Sequence, residues 1–522
     1  PDRTALVDAT DGRQWSFEAL DRRVDAFAAD LRAVAAERPD TTDPTTGDHP
    51  VRVGIALSPR PAFVVALHAT LRLGWTVVAL DPRWSRSSLQ DRIARTNSEV
   101  VVCEADTAAM VQGGGVDGNA AEAGTAPAVV SVDQLAADSS TAWQTVDPLA
   151  GPAAPAIADD SEQFDRTDGV RDPDETALLA FTSGTTGEPR AVRLTTRNLA
   201  ASATASALRL GVDPGDRWLA CLPVAHVGGL SPAVRCVVYG TTLVVQPGFE
   251  PSHSAAVIDQ FDVTGVSLVP TQLRRLLDAD EGADDVDPTD ALATLDTLLL
   301  GGAPAGEDLL SRALAAGIPV YPTYGLTETA SQVATARPAE ARAHPGTVGQ
   351  PLYGTRVTVV DDGDPVAPGE RGELVVDGPT VSPGYLDDAR TATAFGEFGL
   401  HTGDVGYRDA DGRLWVLGRQ DDLLVTGGEL VAPATVADAL QSHPAVADVA
   451  VVGLDDPEWG ERVAALVVGD ASVAVEGLRE HCRDRLAAYE VPKRIASAEA
   501  IPRTASGTVD REAVRARFDV VE

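Results

Sequence analysis

Lysine is almost missing: Lys493 is the one lysine among 42 basic residues, which face 78 acidic ones for a formal net charge of -36 over 522 residues. A nucleic-acid binder needs the opposite balance, so a polyanionic partner is excluded. The acid is spread along the whole chain and not gathered in a tail, as in a halophile-like solvated surface. No run of about 18 uninterrupted apolar residues occurs, so no membrane-inserting helix is expected. Cysteine is scarce as well. Cys103, Cys221, Cys236 and Cys482 lie far apart and mostly inside apolar runs. That spacing gives neither a disulfide framework nor a metal cluster, and it fits buried thiols in a reducing, cytoplasmic compartment. Internal repeats are absent, and no targeting segment is visible.

What is present is alternation. "VRVGIAL", "WTVVAL" and "EVVVCEA" are short β-branched runs separated by the helix-like "RPAFVVALHATLRLG" and "SRSSLQDRIART". Strands alternating with helices imply an α/β fold with a parallel sheet. The alternation stops near Asp106, and 106–174, rich in Ala, Gly, Asp and Pro, reads as a surface insertion apart from a strand in "AVVSVDQL". It resumes at Ala177 through "WLACLPV", "TTLVVQ", "VTGVSLVP", "TLDTLLLGG" and "PVYPTYG". From about Gly354 to Arg419 the texture becomes short strands and Gly/Asp turns, a small β unit. Beyond it lies a compact α+β module. The expected domains are therefore 1–420 and 421–522.

One stretch, "LLAFTSGTTGEPRAVRLTT" from Leu178 to Thr196, breaks an apolar run with a polar loop. Gly184 and Gly187 allow close backbone approach, while Thr182, Ser183, Thr185 and Thr186 supply hydroxyls, a combination suited to cradling an anion. The Gly-Lys-Ser/Thr ending of an ordinary P-loop is missing. A helix capped by Thr195 or Thr196 is expected to follow. Taken alone, the loop reads equally well as a plain Ser/Gly turn.

Two further stretches change that balance. "YPTYGLTETASQ" carries Glu328, and "HTGDVGYRDADGRLWVLGRQDDLLVTGGELVAP" carries Asp404, Arg419 and Asp421. In this order and spacing the three motifs resemble the adenylate-forming superfamily of acyl-CoA ligases, peptide-synthetase adenylation domains and luciferases, over nearly the whole chain. The resemblance implies a large N-terminal domain of α/β subdomains with a β-barrel-like unit, and a small mobile α+β C-terminal domain. It implies ATP phosphates at Thr182–Gly187, the adenine beside Gly302, Ala303, Pro304, Tyr324 and Gly325, with Thr327 close by. Asp404 would accept the ribose hydroxyls beside Arg419, and Glu328 would bind Mg²⁺, a hard cation suited to oxygen ligands. Asp421 would be the hinge, and Gly427 and Gly428 would line the channel for CoA.

"LACLPVAHVGGLSP" has Ala225–His226 where enzymes for α-amino acids place an Asp, so the acid substrate is expected to lack an α-ammonium. This stretch, "VSLVPTQLRRLL" and "GGEL" followed by Pro433 resemble the o-succinylbenzoate–CoA ligases of menaquinone biosynthesis. The acid would keep a second, charged carboxylate, which needs a polar or cationic partner. Thr271 and Arg275 lie four apart on one helix face; Arg275 is the expected partner, with His226, Gly228 and Ser331 nearby. The alternatives are another aryl or medium-chain acyl-CoA ligase and a catalytically weak homologue. The last is raised by "IPRTASGTVDREAV", where Thr508 stands at the position of the superfamily's usual lysine. Arg503 or Arg511 is the expected substitute cation. A homodimer is compatible with the sequence.

Overall fold

The computed structural model describes residues 1–37, 50–111, 126–133, 144–145, 172–182, 189–279, 286–457, 459–469, 474–503 and 509–519. The β-branched runs form two separate sheets where the alternation predicts one. In the first, strands Ala128–Ser131, Val100–Cys103, Arg52–Ala56, Thr76–Ala79 and Thr176–Thr182 lie side by side in parallel. Each is buried along nearly its whole length. Helices Pro61–Arg72 and Arg86–Arg95 make crossovers, the second capped by the Ser85 side chain. Within 106–174, helix Ala105–Val111 and strand Ala128–Ser131 carry the alternation one unit further, so these described parts belong to the sheet.

The second sheet runs Val320–Leu326, Thr297–Leu300, Gly265–Leu268, Arg217–Ala220, Thr242–Val245 and Thr4–Asp8, all parallel. The first strand of the chain thus pairs Leu6 with Leu243. Residues Arg356–Asp361, Arg371–Asp377, Gly399–Arg408 and Leu414–Arg419 form the expected antiparallel unit. The C-terminal module is a sheet centred on Val446–Asp456 and Gly460–Gly469, flanked by helices Pro433–Gln441, Val475–Arg483 and Arg511–Asp519. All four cysteines are free and buried; burial pushes the thiols of Cys103, Cys221 and Cys236 up to about 12 and that of Cys482 to about 11. Among the described residues no helix is long and apolar enough to cross a membrane.

The two parts meet at Asp438. A side chain on Gly306 would overlap its carboxylate at 2.7 Å, just ahead of helix Glu307–Ala315. Burial, opposed by Arg274 and reinforced by Asp308 and Glu307, pushes the Asp438 carboxyl up to about 7. A folded-state pKa above the ordinary carboxylate value means extra protons bound in the folded state. The contact is therefore strongest in acid and loses stability as pH rises toward 7. Melting curves at pH 5 and pH 8 should show the stability of Asp438→Asn relative to the parent rising from the lower pH to the higher, because the parent's contribution is complete only below the ordinary carboxylate value of 3.8. A relative stability that stays level or falls would contradict this.

Candidate active site

The loop after Thr182 joins a hairpin: Thr182 pairs with Arg190, and strand Arg190–Thr195 returns antiparallel to Thr176–Thr182 before helix Thr196–Leu210 begins. The helix expected to follow, capped by Thr195, is present, and a strand that the sequence reading did not mark lies between it and the loop. The strand is set by Val192 and Leu194, which point into the core on either side of Arg193. Thr195 caps the helix, accepting from the Asn198 N–H, while the Asn198 side chain reciprocates. Ser183, Gly184, Thr185, Thr186 and Gly187 lie outside the described residues, as does Thr508.

Glu328 sits in the tight turn Thr327–Thr329 between strands Val320–Leu326 and Ser331–Thr335. That turn packs against both strands of the hairpin, which puts the carboxylate beside the flanks of the loop. Gly325 is required here: a Cβ would come within 1.7 Å of the Ser331 carbonyl oxygen. The turn closes with Ala330 at φ 52° and Ser331 at φ 120°, left-handed conformations unfavourable for residues with a Cβ. Strain of this kind persists where surrounding bonds over-determine it. Here Ser382 N–H donates to the Glu328 carbonyl at 2.7 Å, and Ser202 Oγ donates to the Ala330 carbonyl at 2.8 Å.

Tyr385 was not legible as a site residue. Its short strand Gly384–Tyr385 pairs with Val192 and Arg193, and its hydroxyl donates to Glu328 Oε1 at 2.9 Å. Burial and the adjacent carboxylate hold the phenol well above its ordinary range, so it stays a donor. The Arg190 guanidinium lies over the same ring at 6.0 Å.

Asp404 and Arg419 face each other across strands Gly399–Arg408 and Leu414–Arg419. Arg419 Nη1 donates to Asp404 Oδ1 at 3.2 Å and to the Thr402 carbonyl at 2.9 Å; Tyr324 O–H donates to Asp404 Oδ2 at 2.6 Å. Burial raises the Asp404 pKa, with Tyr324 and Arg419 opposing the rise. Tyr324 is raised well above its ordinary value by burial and by Asp404. Three separately predicted residues thus form one hydrogen-bonded group. Gly302, Ala303 and Pro304 form an exposed turn beyond the carboxyl end of strand Thr297–Leu300, where ligands bind in parallel α/β sheets.

His226 begins helix Val227–Tyr239, with Gly228 in its first turn. The ring opens to solvent on one side; the protein around it lowers its pKa, with Asp81 opposing and Arg83 adding. Asp81, which the motifs did not mark, is buried and takes a two-pronged contact from Arg83. Thr271 and Arg275 are both exposed on helix Pro270–Leu277, and the Arg275 guanidinium rests over Phe249 at 5.4 Å. The helix buries Pro270, Leu273 and Leu276 instead. Arg275, the expected partner of the second carboxylate, thus lies exposed on the helix surface.

Asp421 is exposed in the turn Gln420–Asp422. Gly427 and Gly428 form the two-residue turn of the hairpin between Leu424–Thr426 and Glu429–Val431, both at positive φ. The backbone alone thus calls for glycine at both. Arg503 and Arg511, the substitute cations, are engaged with Asp448 and Asp422 at 2.9 and 3.0 Å. Among the described residues, Lys493 Nζ donates to the Ala488 carbonyl at 3.5 Å.

A half-buried carboxylate held by a phenol, a buried carboxylate beside an arginine and a tyrosine, and a polar hairpin loop are the parts of an ATP-dependent adenylate-forming site. The profile of the AMP-binding enzyme family matches residues 1–386, and that of the AMP-binding enzyme C-terminal domain matches 435–508. The chain belongs to that family, within the adenylate-forming superfamily. It is 35% identical to the 2-succinylbenzoate–CoA ligase of Bacillus velezensis over 98% of this chain and 94% of that one. Among solved structures it is similar to o-succinylbenzoate CoA synthetase of Bacillus subtilis in complex with the acyl-adenylate intermediate OSB-AMP. That match has TM-score 0.80 and 30% identity, and covers 99% of this chain and 96% of that one. The same Bacillus subtilis enzyme with ATP and magnesium ion matches at TM-score 0.78 and 30% identity, over 98% and 96%. The amide bond synthetase McbA of Marinactinospora thermotolerans matches at TM-score 0.81 and 27% identity, over 99% and 97%.

Proposed function

We propose that this chain is an AMP-forming acid–thiol ligase that converts o-succinylbenzoate, ATP and CoA into o-succinylbenzoyl-CoA, AMP and pyrophosphate. The observation that carries it is the Glu328–Tyr385 and Asp404–Tyr324–Arg419 geometry, in a chain whose relatives over nearly full length are named for that reaction. In the first half-reaction a carboxylate oxygen of the acid attacks the α-phosphorus of ATP and pyrophosphate leaves. In the second, the CoA thiolate attacks the acyl carbon and AMP leaves. Positioning and charge neutralisation supply most of the acceleration.

Asp404 accepts the ribose hydroxyls, Gly302 to Pro304 and Tyr324 flank the base, and residues 182–187 cradle the phosphates. Among the described residues no group of three or more His, Cys, Asp or Glu side chains could hold a metal by itself. A lone Glu328 fits Mg²⁺, which keeps several waters and is held through one or two carboxylates plus phosphate oxygens. When bound, it would neutralise phosphate charge. His226 and Gly228 shape the mouth of the acid pocket, with Ser331 deeper in. Residues 421–522 are the mobile part, pivoting at Asp421 and presenting Gly427 and Gly428 to CoA. Thr508 leaves the first half-reaction without the usual ammonium. The chain is active on this reading, because the other motifs are intact. The composition fits a cytoplasmic protein working at high salt, and a homodimer remains compatible with it.

The test is a panel of acids with ATP, Mg²⁺ and CoA in high salt, with thioesters assayed by mass. o-Succinylbenzoate should be preferred over octanoate and benzoate. Equal turnover of octanoate would move the assignment to a general acyl-CoA ligase.

A further inference from the structure

Asp404 stands in a break of its sheet. Strand Arg371–Asp377 pairs Glu373 with Val405 and Val375 with His401, so Thr402, Gly403 and Asp404 all stand opposite Leu374. A bulge of this kind re-aims side chains and takes backbone groups out of the ladder, and those groups need other partners. Side chains supply them here. Gly403 N–H donates to Glu373 Oε1 at 2.8 Å, and Asp404 N–H donates to Thr402 Oγ1 at 3.0 Å. Thr402 Oγ1 in turn donates to the Leu374 carbonyl at 2.6 Å. Gly403 has φ 70°, and a Cβ on it would lie 3.4 Å from Arg419 Nη2. The second oxygen of Glu373, Oε2, accepts from His401 Nδ1 at 2.7 Å. Both oxygens of one carboxylate are thus engaged, each by a residue of the strand that carries Asp404.

Resting on the placement of the ribose at Asp404, we infer that Glu373 is a positioning residue for ATP. It fixes the bulge that aims the Asp404 carboxylate, and His401 fixes Glu373. An acceptor stays aligned only when the groups behind it are locked by their own hydrogen bonds. Tyr324 and Arg419 hold Asp404 at its side chain, and Glu373 holds it through the backbone. With Gly403 N–H released, the bulge is free to shift. The Asp404 carboxylate then keeps its charge and loses its alignment with the ribose hydroxyls.

The experiment measures pyrophosphate release with ATP and with 2′,3′-dideoxy-ATP, for the parent, Glu373→Ala, Glu373→Asp and Glu373→Gln. The parent should prefer ATP in KM by about 10- to 150-fold, the range of one hydrogen bond to a charged group. Glu373→Ala should cut that preference by about tenfold, leaving kcat and the KM for the dideoxy nucleotide near the parental values. Glu373→Asp, one methylene too short to reach Gly403 N–H, should do the same, and it serves where Glu373→Ala folds poorly. Glu373→Gln, whose amide oxygen still accepts from Gly403, should keep the parental preference. An unchanged preference in Glu373→Asp would overturn this inference and leave the ribose at Asp404. Equal weakening of both nucleotides, the mark of a merely structural role, would do so as well. No preference in the parent would overturn the ribose placement and the inference with it.

Discussion

Glu328→Gln is expected to slow formation of the acyl-adenylate by roughly 10²–10³-fold, the several kcal/mol that a positioned metal contributes to charge stabilisation. The substitution is nearly isosteric, and the Gln carbonyl still accepts from Tyr385 O–H, so the turn Thr327–Thr329 and the melting temperature should hardly change. What is lost is negative charge facing the phosphates, since an amide is a poor Mg²⁺ ligand. Pyrophosphate release without CoA, measured over a Mg²⁺ titration, should show a lower rate and a higher Mg²⁺ requirement. A variant with parental rate and Mg²⁺ dependence would place the metal elsewhere.

Asp404→Ala is expected to weaken ATP binding by about 10- to 150-fold or more, with little change in Mg²⁺ requirement. One carboxylate accepts both ribose hydroxyls on this account, and each hydrogen bond to a charged group is worth about 1.5–3 kcal/mol. The variant should also lose stability. Tyr324 O–H and Arg419 Nη1 both aim at that carboxylate, and stripping a buried donor of its acceptor costs about 1–3 kcal/mol. Calorimetric titration with ATP in the absence of acid separates the two effects, because protein that survives as folded still reports its affinity. Unchanged ATP affinity in folded Asp404→Ala would displace the ribose from this strand pair.

Most strands were legible because they are buried on both faces, which leaves continuous β-branched runs such as "VRVGIAL" and "EVVVCEA". Which sheet each run joins was not legible. Pairing between Leu6 and Leu243 is a long-range choice that no local pattern encodes. The hairpin around the loop was hidden for a similar reason, since the alternation in "RAVRLT" is short and interrupted by arginines. At the site, Glu328, Asp404 and Arg419 stood out through their motifs, and the structure joins Asp404 to Arg419 and Tyr324. Tyr385 and Asp81 carry no local signal, because each matters through a partner far away in sequence.

Arg275 is the instructive case. Thr271 and Arg275 do share a helix face, but Leu273 and Leu276 in the same eight residues mark the opposite face as the buried one. Reading the apolar positions first would have turned Arg275 outward. Gly427 and Gly428 show the converse, since positive φ at a two-residue hairpin turn accounts for both before any ligand is considered.

The central claim is that the acid is activated as an acyl-adenylate before CoA displaces AMP. Its most direct test uses o-succinylbenzoate labelled with ¹⁸O in the succinyl carboxylate, with ATP, Mg²⁺ and CoA, and mass analysis of the nucleotide product. Attack of that carboxylate on the α-phosphorus, followed by cleavage at the acyl carbon, leaves one labelled oxygen on AMP for each thioester formed. Singly labelled AMP in step with o-succinylbenzoyl-CoA is the predicted result; thioester accompanied by ADP, or by unlabelled AMP, would contradict it.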